Sequence, residues 1–540
     1  MFVLRSTITA ALAMRYPHRT YVLDDGRRAE VRALCKDLGA EYLTRPDNRG
    51  AKAGNINAAL PVTQGEFVAV FDADHAPFVT FLTELLGYFE DPSVALVQAP
   101  QAYYNLDSFQ HYGRRRDRSG AAPWHEQSVF FDRIMPGKDR HNAAFWCGST
   151  AILRRSALEA IGGVDTHTII EDMHTTIALH ARGWRSVYHD RELAVGIAPD
   201  DSSAFLVQRS RWARGAIQFL HQDNPLFHRG LSLQQRVSYF ASVAYVFEYL
   251  PKAIYLLTPV VALFFGALPM HGMGWALLTH FLPFWVAGLV TTRLLSGGTT
   301  PYFESERFYL LKLGVMLQAA ATYIVPGHAI FKVTPKSGDG GDHRLAELRN
   351  IRAQLGFGVA SLAAAAWAAV AVVADAPWQL QGLDLFMTAG WALMNSFLVA
   401  SLVRTLLQRH HRRRVYRFPV DLRARVSAEG VTAPARLTDL SGLGAGFECP
   451  GHFPVGSTVT LSFETQPGRP IGATIQLSMV RDLGDGRAQY GGAFTELRDA
   501  DRRQLVLFLY QLHAPSLFRQ AEELPLAQQA GTAPAPALAA

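Results

Sequence analysis

Three cysteines in 540 residues leave little for redox or metal chemistry. Cys35, Cys147 and Cys449 stand far apart, with no CxxC pair for zinc and no even set for a secreted disulfide framework. Charge is also scarce, at 18% Asp, Glu, Lys and Arg with a net of +6. The basic residues form no long stripe, which argues against a nucleic-acid partner. Their densest run, QRHHRRRVYR, directly follows an apolar segment, where a cytoplasmic membrane flank belongs. The opening MFVLRSTITAALAMRYPHR lacks an unbroken apolar run and carries its arginines inside and after the apolar part. That pattern argues against a signal peptide and reads better as an amphipathic helix.

Apolar sequence is abundant, at 49%, but unevenly spread. Residues 1–228 and 412–515 read as soluble domains, 229–411 as a membrane region, and 516–540, rich in Ala, Pro and Gln, as a disordered tail. Four segments, roughly 251–268, 273–291, 354–374 and 384–406, are long and apolar enough to span a bilayer. The short loops PMHGMG and DAPWQLQGLD carry no Lys or Arg, whereas 292–353 and both outer flanks carry many. The long loop and both soluble domains are therefore expected on the cytoplasmic side of an inner membrane. LSLQQRVSYFASVAYVFEYL and ERFYLLKLGVMLQAAATYI, amphipathic and interrupted by charge, read as interface helices.

The first soluble domain alternates helical and strand patterns. RTYVLDDG, EFVAVFDADH and ALVQAP read as strands and RRAEVRALCKDLGA as a helix, which predicts an α/β domain with a largely parallel sheet. Two strands end in acids, Asp24-Asp25-Gly26 and Asp72-Ala73-Asp74, at the sheet edge where ligands bind. Like charges one residue apart need a cation between them. A DxD pair at a strand end suits a hard divalent ion shared with phosphate oxygens, such as Mg²⁺. IIEDMHTT places Glu171 and Asp172 at a helix start. QRSRWARG puts Gln208, Arg211 and Trp212 at i, i+3 and i+4, on one helical face. An amide, a guanidinium and an indole together suit a phosphate and a stacked sugar.

DDG, DxD, ED and QxxRW in this order resemble processive family-2 glycosyltransferases of the bacterial cellulose synthase type. RPDNRGAKAGNINAAL, FWCGST, ARGW and FKVTPK, the last similar to an FxVTxK gating loop at 331–336, extend the likeness. The resemblance implies a GT-A-like nucleotide-sugar-binding domain that transfers glucose from UDP-glucose to a β-1,4-glucan and passes the polymer through its own membrane channel. It implies UDP contacts from Asp24, Asp25 and Lys52, diphosphate and Mg²⁺ at Asp72 and Asp74, and a general base at Asp172. Gln208, Arg211 and Trp212 would take the pyrophosphate and acceptor sugar. Phe145, Trp146 and Cys147 would lie near the acceptor terminus, and Thr334 and Lys336 would reach the nucleotide. A periplasmic, membrane-anchored partner subunit is also implied. The family's TED reads Ile170-Glu171-Asp172 here, and its PTYNE-like strand and upstream spans would precede Met1, so a start codon further upstream is expected.

After the last apolar segment, STVTLSFET and ATIQLSMV alternate with period two and predict a small β-barrel, followed by a helix near DRRQLVLFLYQLH. Arg413 and Arg417 form RxxxR, and Asp439, Ser441 and Gly444 form DxSxxG. Together they resemble a PilZ domain, which implies cyclic-di-GMP as activator. A switch follows as an expectation: without the nucleotide, Arg413 or Arg414 pairs with Asp200 or Asp201 and holds the gating loop shut. Other readings are a synthase of another β-linked polysaccharide, or an inactive, truncated cyclic-di-GMP-binding membrane protein.

Overall fold

The computed structural model describes residues 1–111, 124–267, 273–298, 300–325, 344–374, 380–407, 415–428, 430–484 and 486–518. The gating-loop residues Phe331, Thr334 and Lys336 and the linker residues Arg413 and Arg414 lie outside them.

The opening amphipathic segment is helix α1, Phe2–Leu12. Strand β1, Tyr21–Leu23, pairs in parallel with β2, Glu41–Leu43, across helix α2, Ala29–Leu38. Ile8 of α1 joins Val31, Leu34 and Cys35 of α2 in one small core. Helix α3, Ala51–Ala59, leads to β3, Phe67–Val70. A second sheet has the order β3-β5-β4-β6, where β4 is Val94–Gln98, β5 is Ala151–Arg154 and β6 is Arg185–Tyr188. This sheet is mixed, not largely parallel. β5 runs antiparallel to both neighbours, and only β4 and β6 are parallel. The segment AILR that forms β5 is four residues long and wholly buried, too short to show a period of its own.

Helix α4 is Glu171–Ala181 and α5 is Ser202–Gln222. The Asp201 carboxylate caps α5 by accepting the Ala204 N–H at 2.7 Å. Helix α6, Tyr302–Ala321, packs its Phe308, Leu310 and Leu311 into the core that Phe205 and Phe219 of α5 supply. That core also takes in Val399, Leu402 and Leu406, so the α/β unit and the apolar helices form one packed body.

Among the described residues, four helices are long and apolar enough to cross a membrane: Leu233–Phe265, Leu278–Leu295, Arg352–Val373 and Gly382–Leu407. The segment read as a separate interface helix before the first span runs straight into it, through a 3₁₀ turn at Tyr245–Glu248. Pro251 does not break the run because it stands in the first turn of Tyr249–Phe265, where its missing N–H is not needed.

The second soluble domain is a closed six-stranded barrel. Its strands are β7 Phe418–Ala428, β8 Val431–Ser441, β9 Gly444–Pro450, β10 Thr458–Gln466, β11 Arg469–Asp482 and β12 Arg487–Leu497, in the order β7-β8-β9-β12-β11-β10. A helix at Asp499–Leu507 follows. A last helical turn, Ala514–Phe518, runs past the boundary expected at 515 because Ala514 is buried in the barrel's core. Barrel and α/β unit share that core. Tyr104 stacks on Phe418 with ring centroids 5.3 Å apart and meets Tyr510 edge-on at 5.2 Å. Gln511 Nε2 donates to the Pro77 carbonyl at 2.6 Å. Phe2 of α1 presses its ring on Gly442, 1.9 Å from where a β-carbon there would sit.

Candidate active site

The chain leaves β3 at Val70 and turns at once. The His75 N–H donates to the Asp72 carbonyl at 2.9 Å, which turns both acids of the DxD pair to one edge. The Asp72 N–H donates to Ser149 Oγ at 2.9 Å, tying this turn to the segment before β5. Lys52, from the first turn of α3, supplies the cation that the acids demand. Its ammonium contacts the Asp72 carboxylate and the Gly148 carbonyl. Burial works against its charge, but Asp72, with Glu171 and Asp172 behind it, raises the Lys52 pKa nonetheless. On the other acid, Asp74 Oδ1 lies 3.2 Å from Nδ1 of the buried His75.

Asp72, Asp74 and His75 place their ligand atoms within 4.8 Å of one another. Two carboxylates and an imidazole suit a hard or borderline divalent cation, and one His75 nitrogen has no hydrogen-bond partner among the described residues. The residues present thus fit a metal ion. His75 was missed in the sequence, although it stands directly after the motif in DADH.

Asp172 enters from the start of α4. Its Oδ1 accepts the Met173 N–H at 2.8 Å. Burial, then the neighbouring Glu171 charge, pushes its pKa up to about 7. Burial also raises Glu171, opposed by Lys52 and Arg211. A carboxyl that titrates near neutrality in a cluster of acids and cations suits general-base work. Gly148 explains the glycine of FWCGST. Its φ is +82°, and a β-carbon there would lie 3.1 Å from Asp172 Oδ2.

Helix α5 delivers Gln208, Arg211 and Trp212. Gly215 of the same helix sits against Ile170, where a β-carbon would come within 2.6 Å of Cγ2. That close approach sets Arg211 near enough to act on Glu171, so ED and QxxRW share one site. Gln208 is buried, whereas Arg211 and Trp212 are half-buried. In FWCGST, Phe145 and Trp146 are 6% and 0% exposed, so only the Cys147 side chain is partly open to the site. The Trp146 ring packs beneath Lys52, 6.0 Å from its ammonium.

The DDG pair is already bound up in the fold. Asp24 is 2% exposed and accepts from Arg28, Gly26 and Tyr42. Burial opposes its charge, but the Arg28 hydrogen bonds outweigh it and lower its pKa. Asp25 takes a two-pronged contact from Arg45, at 2.6 and 2.7 Å. Asp200 accepts from Asn105 at 3.1 Å.

In the barrel, Arg417 Nη1 donates to Asp439 Oδ1 at 2.9 Å and Nη2 to the Gly492 carbonyl at 3.1 Å. Ser441 Oγ donates to the Gly444 carbonyl at 3.0 Å. Arg417 of RxxxR therefore meets Asp439 of DxSxxG at the start of the barrel, and Arg413 lies outside the described residues.

Residues 67–325 match the glycosyl transferase family group 2 profile, and residues 408–511 match the PilZ domain profile. The chain carries a family-2 glycosyltransferase domain and a C-terminal PilZ domain. The glycosyltransferase reading is also supported by relatives. The chain is 38% identical over 340 residues to the cellulose synthase catalytic subunit [UDP-forming] of Pseudomonas fluorescens, covering 62% of this chain and 44% of that protein. It is 43% identical over 256 residues to the subunit of the same name from Xanthomonas axonopodis pv. citri, covering 47% and 35%. The chain thus spans less than half the length of these relatives. Among solved structures, a Pyrobaculum calidifontis mannosyltransferase in complex with GDP-Man and Mn²⁺ is similar, at 17% identity and a TM-score of 0.36, over 60% of this chain and 84% of that one.

Proposed function

We propose that this chain is a cyclic-di-GMP-activated cellulose synthase catalytic subunit of the inner membrane. It transfers glucose from UDP-glucose to the non-reducing end of a β-1,4-glucan with inversion. The observation that carries the reading is Asp172, titrating near 7 beside Lys52 and the DxD turn, with Arg211 close behind Glu171.

In this reading Asp172 takes the proton of the acceptor hydroxyl. One base with no second carboxylate as nucleophile fits a single displacement. Asp72, Asp74 and His75 hold Mg²⁺, which when bound neutralises charge on the diphosphate. Lys52 and Arg211 face the charge that develops on departing UDP. Asp24 fixes the DDG loop, Asp25 lies beside the nucleotide, Gln208 and Trp212 hold the acceptor, and Cys147 borders its terminus. Arg417, Asp439, Ser441 and Gly444 hold cyclic-di-GMP. The soluble domains face the cytoplasm, and the glucan crosses between the spanning helices towards a periplasmic partner.

The test is incorporation of labelled UDP-glucose into polymer by the purified full chain with Mg²⁺ and cyclic-di-GMP, followed by linkage analysis. β-1,4-Linked product that is lost on Asp172→Asn supports the reading. Cyclic-di-GMP binding without polymer from any UDP-sugar identifies an inactive binding protein instead.

A further inference from the structure

Beneath Trp212 lies a set of buried charges that the transfer chemistry does not use. Arg209 is 3% exposed. Its guanidinium carbon lies 4.3 Å from the Trp212 ring centroid and 4.5 Å from that of Phe205, over both rings. In its own plane, Nη2 donates to Glu126 Oε2 at 2.5 Å and Nη1 to Gln208 Oε1 at 2.9 Å. The other Glu126 oxygen accepts from Lys312 of α6 at 2.5 Å. The guanidinium thus meets Glu126, 83 residues away in sequence, and through it Lys312 of α6.

A buried charge is costly, so its retention calls for a reason. Guanidinium suits two tasks at once: its faces stack on aromatic rings while its edge makes directed hydrogen bonds. Glu126 fixes that edge and Lys312 fixes Glu126. The plane of Arg209 is therefore set from two sides, and the indole lying on it is set in turn. Gln208 is oriented by the same group. Its Oε1 accepts from Arg209 and, at 3.4 Å, from Gln110, which fixes the orientation of its amide.

We infer that Arg209, anchored by Glu126 and Lys312, is a positioning residue for the acceptor platform: it fixes the tilt of Trp212 and turns Gln208 to donate to a sugar hydroxyl. This rests on the reading of Trp212 as the residue that stacks the acceptor. The full chain in detergent is titrated by calorimetry with cellohexaose and, separately, with UDP and Mg²⁺. Arg209→Lys keeps the charge opposite Glu126 but loses the flat stack and the fork. It should lower cellohexaose affinity about three- to tenfold, between the exposed and the desolvated values for a cation–π contact. UDP affinity should stay within about twofold, and the change should cost less in a Trp212→Ala background, where only its effect through Gln208 remains. Lys312→Met, which leaves the Arg209–Glu126 pair intact, is the second variant and should show a smaller loss of the same kind. Equal losses for UDP and glucan overturn the inference, as does parental glucan binding by both variants when Trp212→Ala has lost it. Parental glucan binding by Trp212→Ala removes the premise itself, and that result is distinguishable from the others.

Discussion

Replacing Asp172 by Asn should stop transfer and at the same time stabilise the protein, but only above the acid range. The folded-state pKa of Asp172 is about 7 against an ordinary value of 3.8. The folded form therefore binds this proton more tightly than the unfolded chain does. Stability falls as pH rises from about 4 to about 7 and stays at that lower level beyond it. That difference corresponds to at most about 4 kcal/mol, at about 1.36 kcal/mol for each tenfold in proton affinity. Local relaxation in the variant reduces this, so a gain of about 2–4 kcal/mol at pH 8 is expected. For a domain of this size that is a rise on the order of 5–10 °C in the unfolding midpoint. Asn keeps the side-chain oxygen that accepts the Met173 N–H, so the helix start survives. Activity should drop by about 10²–10⁴-fold. The assay is thermal unfolding of the purified full chain at pH 8 and pH 4, alongside incorporation of labelled sugar. A gain of equal size at both pH values, or a loss at pH 8, refutes the argument that this carboxyl sits in a site hostile to its own charge.

Three further outcomes follow from the same geometry. Transfer should fall about tenfold per unit as pH drops below about 7, and Glu171→Gln should move that limb to lower pH, because a neighbouring charge that raises the Asp172 pKa is gone; a pH–rate profile of polymer synthesis checks it. Gly148→Ala should cost at least about tenfold in transfer through strain at positive φ and crowding of Asp172, with UDP binding by calorimetry retained. Arg417→Ala should weaken cyclic-di-GMP binding by about tenfold or more, since it removes a charge-assisted fork, while basal synthesis without the nucleotide stays unchanged.

Much of this molecule could be read from order and period alone. The strand ends at Leu23 and Val70, the helix carrying Gln208, Arg211 and Trp212, and the barrel strands all carry their pattern locally. The mixed sheet did not show, because β5 is made by a return of the chain through residues with positive φ at Gly148 and Thr150, which no periodicity marks. Lys52 as the partner of Asp72 was equally hidden, since α3 and β3 meet there only through tertiary packing. The pairing of Arg209 with Glu126 spans 83 residues, and a buried ion pair leaves no trace in local sequence. His75 was in plain view but carried no spacing signal of its own.

The shared core of Tyr104, Phe418 and Tyr510, with Gln511 bonded to Pro77, bears on how regulation can be studied. Pro77 stands three residues beyond Asp74, so the PilZ barrel forms one wall of the glycosyltransferase domain. Cutting the chain before Phe418 would leave Phe78, Val195 and Ile197 without their apolar cover. A truncated enzyme with low output would then report a damaged catalytic body, not a released brake. Point changes at Arg417 or Asp439, which border that wall but leave the apolar side chains of Phe418 and Tyr510 in place, are the sounder way to separate control from catalysis.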